Sequence, residues 1–332
     1  MNAVVTRAGF LTSVQDLGRT GFRQFGVSTS GALDSFALRV ANLLVGNDEG
    51  AAGLEITLGG LHLGFEDECI VAWCGGEFDV QIGSRVLPAG HVAHLQADDE
   101  LKFGRAQIGC RCWLAISGGI DVPVVLGSRS TDLRANFGGI DECALRDGDV
   151  VPLARQPRSS AFAKATADKS PPPTGISSWT APHDWTSPAS RHPKLRFVRG
   201  MDWTRFNAST LQRLTSEPFA VSPDSDRMGV RLDGPELKRV DETDLISEAV
   251  APGTIQVPPN GKPILLLGDC QTIGGYPKIA HMITVDLGVA AQLRAGDGVR
   301  FSEVSLQDAH RLLMERERDL ERFRIGLSLQ RV

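Results

Sequence analysis

The hydrophobic residues of this chain fall into short runs that Gly and Pro interrupt. The clearest runs are 68–74, 92–95 and 111–116 in the first half, and 195–198, 253–257 and 282–285 in the second half. Pairs such as Gly75-Gly76 and Gly118-Gly119 bound them. Short strands at close spacing are typical of barrels or sandwiches rather than of βαβ units. The pattern therefore predicts a mainly β fold with minor α.

The two halves of the chain end in a similar phrase. Leu-Arg-Asp-Gly-Asp-Val-Val at 145–151 resembles Leu-Arg-Ala-Gly-Asp-Gly-Val at 293–299, and each places a Gly-Asp turn before an apolar strand. A recurring phrase is the signature of an internal repeat. It predicts two related β-barrel subdomains.

Two segments have helical periodicity. Residues 32–45 place Leu33, Phe36 and Val40 on one face, with Ser30 or Gly31 as the expected N-cap and Gly46 as the C-terminal stop. The second helix is expected from residue 305 to about residue 323, where Ser305 and Asp308 resemble a capping box. Its densely charged outer face indicates a solvated surface.

Residues 155–194 separate the two halves and differ from them in composition. They hold seven of the 18 prolines, including the run 171–173, and they are rich in Ser and Thr. Such a segment buries too little surface to offset its ordering entropy. We therefore predict a first subdomain at 1–154, a linker or insert at 155–194, and a second subdomain at 195–304. A helix and tail follow at 305–332. Trp179 and Trp185 are the side chains that could anchor the insert.

Composition excludes several classes of function. The chain has 332 residues, a net charge of −5 and interspersed charges, so no basic tract indicates nucleic acid or a membrane surface. The N-terminus lacks the apolar core of a signal peptide, and no apolar run could span a bilayer. We expect a cytoplasmic protein.

The six cysteines provide no metal motif, since none forms a C-x-x-C pair. Cys110 and Cys112 are expected on one face of a strand as small buried hydrophobes, and no metal site is predicted. Cys270 is not expected to be a nucleophile, because no His except His281 follows it at a helpful place and a nucleophile needs an activating base.

The most informative stretch is the polar segment 269–278, which follows the apolar run 263–267. It contains Asp269, Gln271, Tyr276 and Lys278, and Tyr276 is the one tyrosine of the chain. Gly274 and Gly275 let the backbone approach a ligand closely. A polar cluster on a loop next to a buried strand is how sites are usually built, although a tight solvated turn is the alternative.

Three other segments offer polar groups at turns. Residues 12–34 contain hydroxyls before the first helix, which could hold an anion or simply cap the helix. Arg129 stands among hydroxyls near Asp132, and Arg227 stands beside Asp226. An arginine in such a setting suits a carboxylate or phosphate, and an Arg129–Asp132 pair that fastens a loop is the alternative. We expect Arg227 and Lys278 to lie in polar turns outside the core.

No common catalytic motif accompanies these segments. The sequence has no Ser-His-Asp order, no Walker loop and no His-x-x-x-His. An ATP site of the usual kind is therefore not encoded in this chain.

The order of seven phrases resembles one family. They are 12–21, 30–34, 41–47, 126–133, 225–232, 253–258 and 271–278. The chain looks like a member of the carboxyltransferase-domain family, which includes the C subunit of 5-oxoprolinase, proteins similar to allophanate hydrolase subunit 2, the urea carboxylase carboxyltransferase and the antagonist of a sporulation-kinase inhibitor. The family usually has Thr at the position of Ile273 and often Arg or Ala at that of Cys270.

This resemblance implies a fold, partners and a reaction. The fold would be two cyclophilin-like β-barrel subdomains. The reaction would be the ATP-dependent conversion of 5-oxo-L-proline to L-glutamate by a complex with the A and B subunits. No cofactor is expected on this chain, ATP would be used by the complex, and biotin could come only from another chain because no Met-Lys-Met phrase is present. The alternatives are a biotin-dependent carboxyltransferase acting on a urea- or amide-like substrate, and a non-catalytic regulator that binds a partner inhibitor.

For the leading reaction we assign roles within the polar segments. Gln271 and Tyr276 could donate hydrogen bonds to the lactam oxygen, and Asp269 could orient the substrate or take a proton. Lys278 would supply a cation. The substrate-binding set is Arg129, Asp132, Arg227, Gly274 and Gly275.

Overall fold

The computed structural model describes residues 1–154, 175–186, 190–240 and 245–330. Most of their regular structure is β, which confirms the predicted fold class. The chain forms two compact units. Unit 1 contains Met1–Gly18, Ser30–Pro188 and Glu317–Val332, and unit 2 contains Arg19–Thr29 and Ala189–Arg316.

Unit 1 is built on a ten-stranded sheet. Its strands are β1 (Asn2–Ala8), β2 (Leu11–Gln15), β3 (Gly53–Thr57), β4 (Leu61–Phe65), β5 (Cys69–Ile82), β6 (Arg85–Val86), β7 (His91–Leu95), β8 (Glu100–Ile116), β9 (Val150–Pro152) and β10 (Ile176–Thr180). The main order is β10-β7-β5-β8-β4-β1-β9, while β2 and β8 flank β3, and β6 pairs with β5. The antiparallel pair of β5 and β8 is the longest ladder and carries the core of this unit.

The core of unit 1 follows from the alternation within these long strands. Trp73 on β5 makes edge-to-face contacts with Phe78 and Phe103, at centroid distances of 6.2 and 6.0 Å. Such aromatic pairs add to the stabilisation that burial alone provides. Cys110 and Cys112 on β8 are both buried, as expected for small hydrophobes.

The first predicted helix is present as α1 (Ser35–Val45) and packs on β5 and β8. Gly46 ends it in the left-handed conformation, as expected. The N-cap is Asp34, whose carboxylate accepts the Ala37 N–H, rather than Ser30 or Gly31. Ser30 and Gly31 have positive φ and make the turn before the helix, and a Cβ on Gly31 would lie 2.8 Å from the Gly18 nitrogen.

Part of the predicted insert 155–194 is ordered structure in unit 1. β10 pairs with β7, and α2 (His183–Thr186) follows it. Trp185 makes edge-to-face contacts with Phe36 at 5.3 Å and with Phe323 at 5.5 Å. Residues 155–174 and 187–189 lie outside the described residues, so for them the linker stays a prediction.

Unit 2 contains a closed barrel of seven strands. They are β11 (Lys194–Arg199), β12 (Phe219–Val221), β13 (Gly229–Asp233), β15 (Thr254–Gln256), β16 (Ile264–Leu266), β18 (Lys278–Met282) and β19 (Gly298–Glu303). Their order around the barrel is β11-β18-β15-β16-β13-β12-β19. A separate two-stranded sheet pairs β14 (Glu248–Ala249) with β17 (Ile273–Gly274). Phe197, Phe219 and Phe301 form the aromatic part of the barrel interior. The likeness of both subdomains to cyclophilin stays a prediction.

The helices of unit 2 are short until the end of the chain. They are α3 (Ala208–Ser216), α4 (Leu287–Ala291) and α5 (Leu306–Gln330), of which α5 continues into unit 1 from Glu317. Ser305 Oγ accepts the Asp308 N–H at 3.0 Å, which confirms the expected cap. Within unit 1, Glu317 receives two hydrogen bonds from Arg39 at 2.7 Å each. Among the described helices, none is both long and apolar enough to cross a membrane.

Truncating Trp185 tests whether α2 is anchored. We expect Trp185→Ala to lower the free energy of unfolding by about 2 kcal/mol, because it removes a half-buried ring between two aromatic partners. Urea unfolding followed by circular dichroism measures this change. Trp179→Ala is the matched control, since no ring contact of Trp179 is found among the described residues. Equal losses for both variants would contradict a specific anchor.

Candidate active site

The polar segment 269–278 links two strands of the barrel, β16 and β18. It begins three residues after β16 ends, contains β17, and leads directly into β18. Because β16 and β18 both pair with β15, the segment is fixed at its two ends by one continuous ladder. The expectation of a polar loop supported by a buried strand is therefore met.

A buried ion pair fastens the start of this segment. Arg227 Nε donates to Asp269 Oδ2 at 2.8 Å, and Arg227 Nη2 lies 3.2 Å from Asp269 Oδ1. The Asp269 N–H also donates to the Arg227 carbonyl at 3.1 Å. Both side chains are buried, so Arg227 does not lie in a solvated turn as expected. The fork of the guanidinium matches the carboxylate, and burial strengthens this bidentate contact.

Arg23 binds the backbone of the polar segment just after Asp269. Its Nη2 donates to the Val250 carbonyl at 2.7 Å and to the Gln271 carbonyl at 2.9 Å. The same nitrogen lies 3.8 Å from Cys270 Sγ. Burial raises the pKa of the Cys270 thiol despite the opposing charge of Arg23. A protonated, buried thiol is a poor nucleophile, and that Cys270 has no catalytic role stays a prediction.

Two glutamine side chains form the floor of the segment. Gln271 Nε2 donates to Gln256 Oε1 at 3.3 Å, and Gln256 Nε2 donates to the Tyr276 carbonyl at 3.2 Å. A Cβ on Gly274 would lie 2.8 Å from Gln256 Nε2. A side chain at position 274 would therefore require the Gln256 amide to shift, while a Cβ on Gly275 would lie 3.2 Å from the Leu245 carbonyl oxygen and 3.3 Å from Ser247 Oγ, which is closer than most Cβ contacts.

Lys278 closes the segment as a buried cation. Its Nζ donates to Glu248 Oε2 at 2.8 Å and lies 3.9 Å from Asp202 Oδ2. Asp202 also accepts the Lys278 backbone N–H at 2.9 Å. The hydrogen bond from Lys278, together with its charge, lowers the pKa of Glu248. Lys278 was expected in a polar turn outside the core, but two carboxylates compensate its burial instead.

A cleft of about 480 Å³ opens beside this segment in unit 2. Its polar lining side chains are the neutral groups of Gln256, Gln271 and Tyr276, the cations of Arg231 and Lys262, and the carboxylates of Asp224, Asp226 and Asp233, among others. Tyr276 is 45% exposed, so its phenol is available to a ligand. The volume suits a small molecule, and the amide, phenol and cationic groups suit a carbonyl or carboxylate.

The two predicted site residues of the first half lie in unit 1 and make local contacts there. Arg129 Nε donates to the Val122 carbonyl at 3.0 Å, and Nη2 lies 3.6 Å from Asp121. Asp132 accepts the N–H groups of Arg134 and Ala135, whereas the carboxylate found beside Arg129 is that of Asp121. Their predicted role with substrate is not tested by these contacts and stays a prediction.

The carboxylate of Asp16 fixes the turn after β2 and occupies the donors that an anion would need. Asp16 accepts the hydroxyls of Ser128 and Ser130 at 2.6 Å each and the Arg129 N–H at 2.6 Å. A second anion there would face this charge. The alternative that these polar residues serve the structure is therefore favoured.

Sequence reasoning missed four residues of the unit 2 cluster. Arg23, Asp202, Glu248 and Gln256 come from four separate segments that contact the polar loop only in the folded unit. Gln256 lay within a family phrase but was not assigned to the site. Across the described parts of the chain, no three His, Cys, Asp or Glu side chains are arranged to hold a metal ion.

The buried pair makes a prediction about stability. Arg227→Ala should lower the free energy of unfolding by about 3–5 kcal/mol, because it leaves Asp269 buried without its partner. The double variant Arg227→Met with Asp269→Leu should recover most of this loss. Denaturant unfolding measures both. Arg213→Ala, at an exposed pair with Glu217, is the control and should change stability by about 0.5 kcal/mol or less. Full stability of Arg227→Ala would contradict the structural role.

Comparison with known proteins finds one family along most of the chain. The family model described as "Carboxyltransferase domain, subdomain A and B" matches residues 25–303. The chain is 39% identical to the C subunit of 5-oxoprolinase from Escherichia coli K12, over 96% of each protein. It is 35% identical to the protein of the same name from Haemophilus influenzae, over 94% of each.

One solved structure and one sequence relative contain a matching region inside a longer chain. The urea amidolyase of K. lactis matches with a TM-score of 0.87 and 30% identity, over 97% of this chain and 20% of that one. The urea amidolyase of Lachancea kluyveri is 31% identical over 97% of this chain and 18% of its own length. The matches in sequence and in fold agree, and they cover both units. The chain therefore belongs to the carboxyltransferase-domain family, together with the C subunit of 5-oxoprolinase.

Proposed function

We propose that this chain is one subunit of an ATP-dependent 5-oxoprolinase complex that converts 5-oxo-L-proline to L-glutamate. The observation that carries the proposal is the 39% identity to the C subunit of 5-oxoprolinase from Escherichia coli over 96% of both proteins. A match over 96% of both chains supports equivalence better than a match to one part of a larger enzyme. The chain acts as a hydrolase subunit for a cyclic amide, in the cytoplasm.

The cleft in unit 2 supplies groups that suit this substrate. Hydrolysis adds water across the lactam C–N bond, so negative charge develops on the carbonyl oxygen and the ring nitrogen takes a proton. Donors aimed at that oxygen stabilise the transition state. The Gln271 amide and the Tyr276 phenol are the donors that line the cleft. Lys278 is the cation nearest to them along the chain.

The buried pair has a supporting role in this scheme. Because Arg227 and Asp269 bind one another, we assign them to positioning of the loop rather than to contact with substrate. Gly274 allows the loop to lie against Gln256, which in turn orients Gln271. The proposed substrate contacts are thus Gln271, Tyr276 and Lys278.

The proposal includes partners. A lactam is a stable amide, and its opening is coupled to ATP, yet this sequence carries no Walker loop. We therefore assign nucleotide binding to the other subunits, of the A and B kinds. No biotin is needed in this scheme.

A second candidate is a biotin-dependent carboxyltransferase that acts on a urea- or amide-like substrate. It is favoured by the structural match to the K. lactis urea carboxylase, with a TM-score of 0.87 and 30% identity. Biotin would then be presented by another chain. Bicarbonate dependence of turnover distinguishes this candidate from the first. A regulator without catalysis would instead form a tight, inactive complex with its partner.

The first test is reconstitution. The purified chain alone should release no glutamate from 5-oxoproline and ATP, whereas the chain with its A and B partners should do so without bicarbonate. Glutamate release coupled to ADP formation is the measurement. Robust turnover by the isolated chain would refute the assignment of nucleotide binding to the other subunits. Strict bicarbonate dependence would favour the second candidate.

A second test addresses the phenol of the cleft. Tyr276→Phe should lower kcat/KM of the complex by about 100-fold, because it removes one donor to the developing oxyanion and leaves the ring in place. Unfolding of the variant should match the unaltered chain, since the side chain is partly exposed. Lys238→Ala, at an exposed pair outside the cleft lining, is the control with unchanged turnover. Unchanged kcat/KM for Tyr276→Phe would exclude this role.

A further inference from the structure

The ammonium of Lys278 has an unusual pair of neighbours. The lysine side chain is 6% exposed, yet the carboxylate that it binds at 2.8 Å belongs to Glu248, which is 54% exposed. The other carboxylate, of Asp202, lies 3.9 Å away and also accepts the Lys278 backbone N–H. A buried cation thus has one fixed anionic neighbour and one that solvent can reach.

Glu248 is attached to the barrel by few contacts. It lies on β14, whose two residues pair, within the described parts of the chain, with the two residues of β17 alone, and neither strand belongs to the barrel ladder. So short a pair contributes little stability by itself. The chain is secured just beyond it, where Val250 is buried against Leu266 and Cys270 and its carbonyl accepts from Arg23. Glu248 can therefore leave Lys278 while Val250 stays in place.

Lys278 adjoins the cleft through the barrel ladder. Gln256, which lines the cleft, is the direct cross-strand partner of Lys278. A register irregularity separates this pair from the pair of Ile255 and Ala280, so Gln256 and Lys278 are neighbours on adjacent strands where the ladder is interrupted. On the outer side, Glu248 is opposite Gly274, and Gly274 lies against the Gln256 amide. Glu248, Gly274, Gln256 and Lys278 thus form a closed ring of neighbours, of which Gln256 lines the cleft.

We propose that Lys278 is a carboxylate-binding subsite and that Glu248 occupies it until an anionic ligand displaces the Glu248 side chain. For the identity of the ligand, this inference rests on the proposed function. The carboxylate of 5-oxoproline would bind Lys278, and its lactam ring would lie toward Gln256, Gln271 and Tyr276.

The exchange keeps the charge on the buried lysine compensated. Removing one partner of a buried ion pair is strongly destabilising, but replacing one carboxylate by another leaves no unpaired charge. A neutral analogue cannot make this replacement, so the subsite selects for an acid. Glu248, being part of the same chain, competes at an effective concentration on the order of mM.

Amine labelling of the full chain tests the displaceable contact without reference to catalysis. Acetic anhydride acylates free lysines, and peptide mass spectrometry reports Lys278 relative to exposed Lys194. Lys278 should react slowly in the unaltered chain and several-fold faster in Glu248→Ala. Glu236→Ala, which removes the carboxylate beside Lys238, is the matched control and should leave Lys278 unchanged. Equal labelling of Lys278 in Glu248→Ala and the unaltered chain would overturn the proposal.

Calorimetry on the same chains tests the ligand. Glu248→Ala should bind 5-oxo-L-proline about 10-fold more tightly than the unaltered chain, because the internal competitor is gone. The neutral primary amide of 5-oxoproline should show no such gain. Weaker binding of the acid by Glu248→Ala would mean that Glu248 holds the ligand, which overturns the proposal.

The two measurements separate this inference from the proposed function. If labelling is accelerated but neither chain binds 5-oxoproline, the proposed substrate is wrong. In that case acetate, as a bare carboxylate, should still slow the acylation of Lys278 in Glu248→Ala. If acetate gives no protection, Lys278 is not a carboxylate-binding subsite.

Discussion

The need to compensate buried charge determines the layout of the unit 2 site. Arg227 and Asp269 neutralise one another where the polar loop leaves β16, and this contact fixes the direction of the following residues. Lys278 ends the loop under a similar constraint, with carboxylates from two other segments. Between these charges, the loop presents the Gln271 amide and the Tyr276 phenol to the cleft. The loop thus carries its charges at its ends and its hydrogen-bond donors in the middle.

Unit 1 uses the same kind of constraint without an evident site. Asp16 gathers hydroxyl and backbone donors from 128–130, so a single carboxylate joins two distant loops. From the sequence alone, this cluster and the unit 2 cluster look alike, since both combine carboxylates, hydroxyls and arginines. They differ in whether the polar groups hydrogen-bond to one another, as around Asp16, or also line a cleft, as Gln271 and Tyr276 do. That difference depends on distances between segments far apart in the chain.

Features that depend on residues close in sequence could therefore be predicted, whereas contacts between segments far apart in the chain could not. The mainly β fold, α1 with its Gly46 stop, the Ser305 cap and the loop 269–278 could all be predicted, because periodicity and caps act over a few residues. The N-cap Asp34 was missed because Ser30 and Gly31 adopt positive φ, which the sequence does not reveal. Glu248, Asp202 and Arg23 could not be found, since each reaches the loop from another part of unit 2. Trp185 could be suspected as an anchor, but its partners Phe36 and Phe323 could not be named from spacing.

The single tyrosine has a consequence for observing this protein. Tyr276 is partly exposed at the cleft, and no other phenol occurs in the sequence. A chain grown with fluorinated tyrosine would give one fluorine resonance, which needs no assignment. Its chemical shift would report the surroundings of the cleft directly, both in the free chain and within an assembly too large for conventional spectra. The molecule thus contains its own spectroscopic label at the position where occupancy of the cleft is most in question.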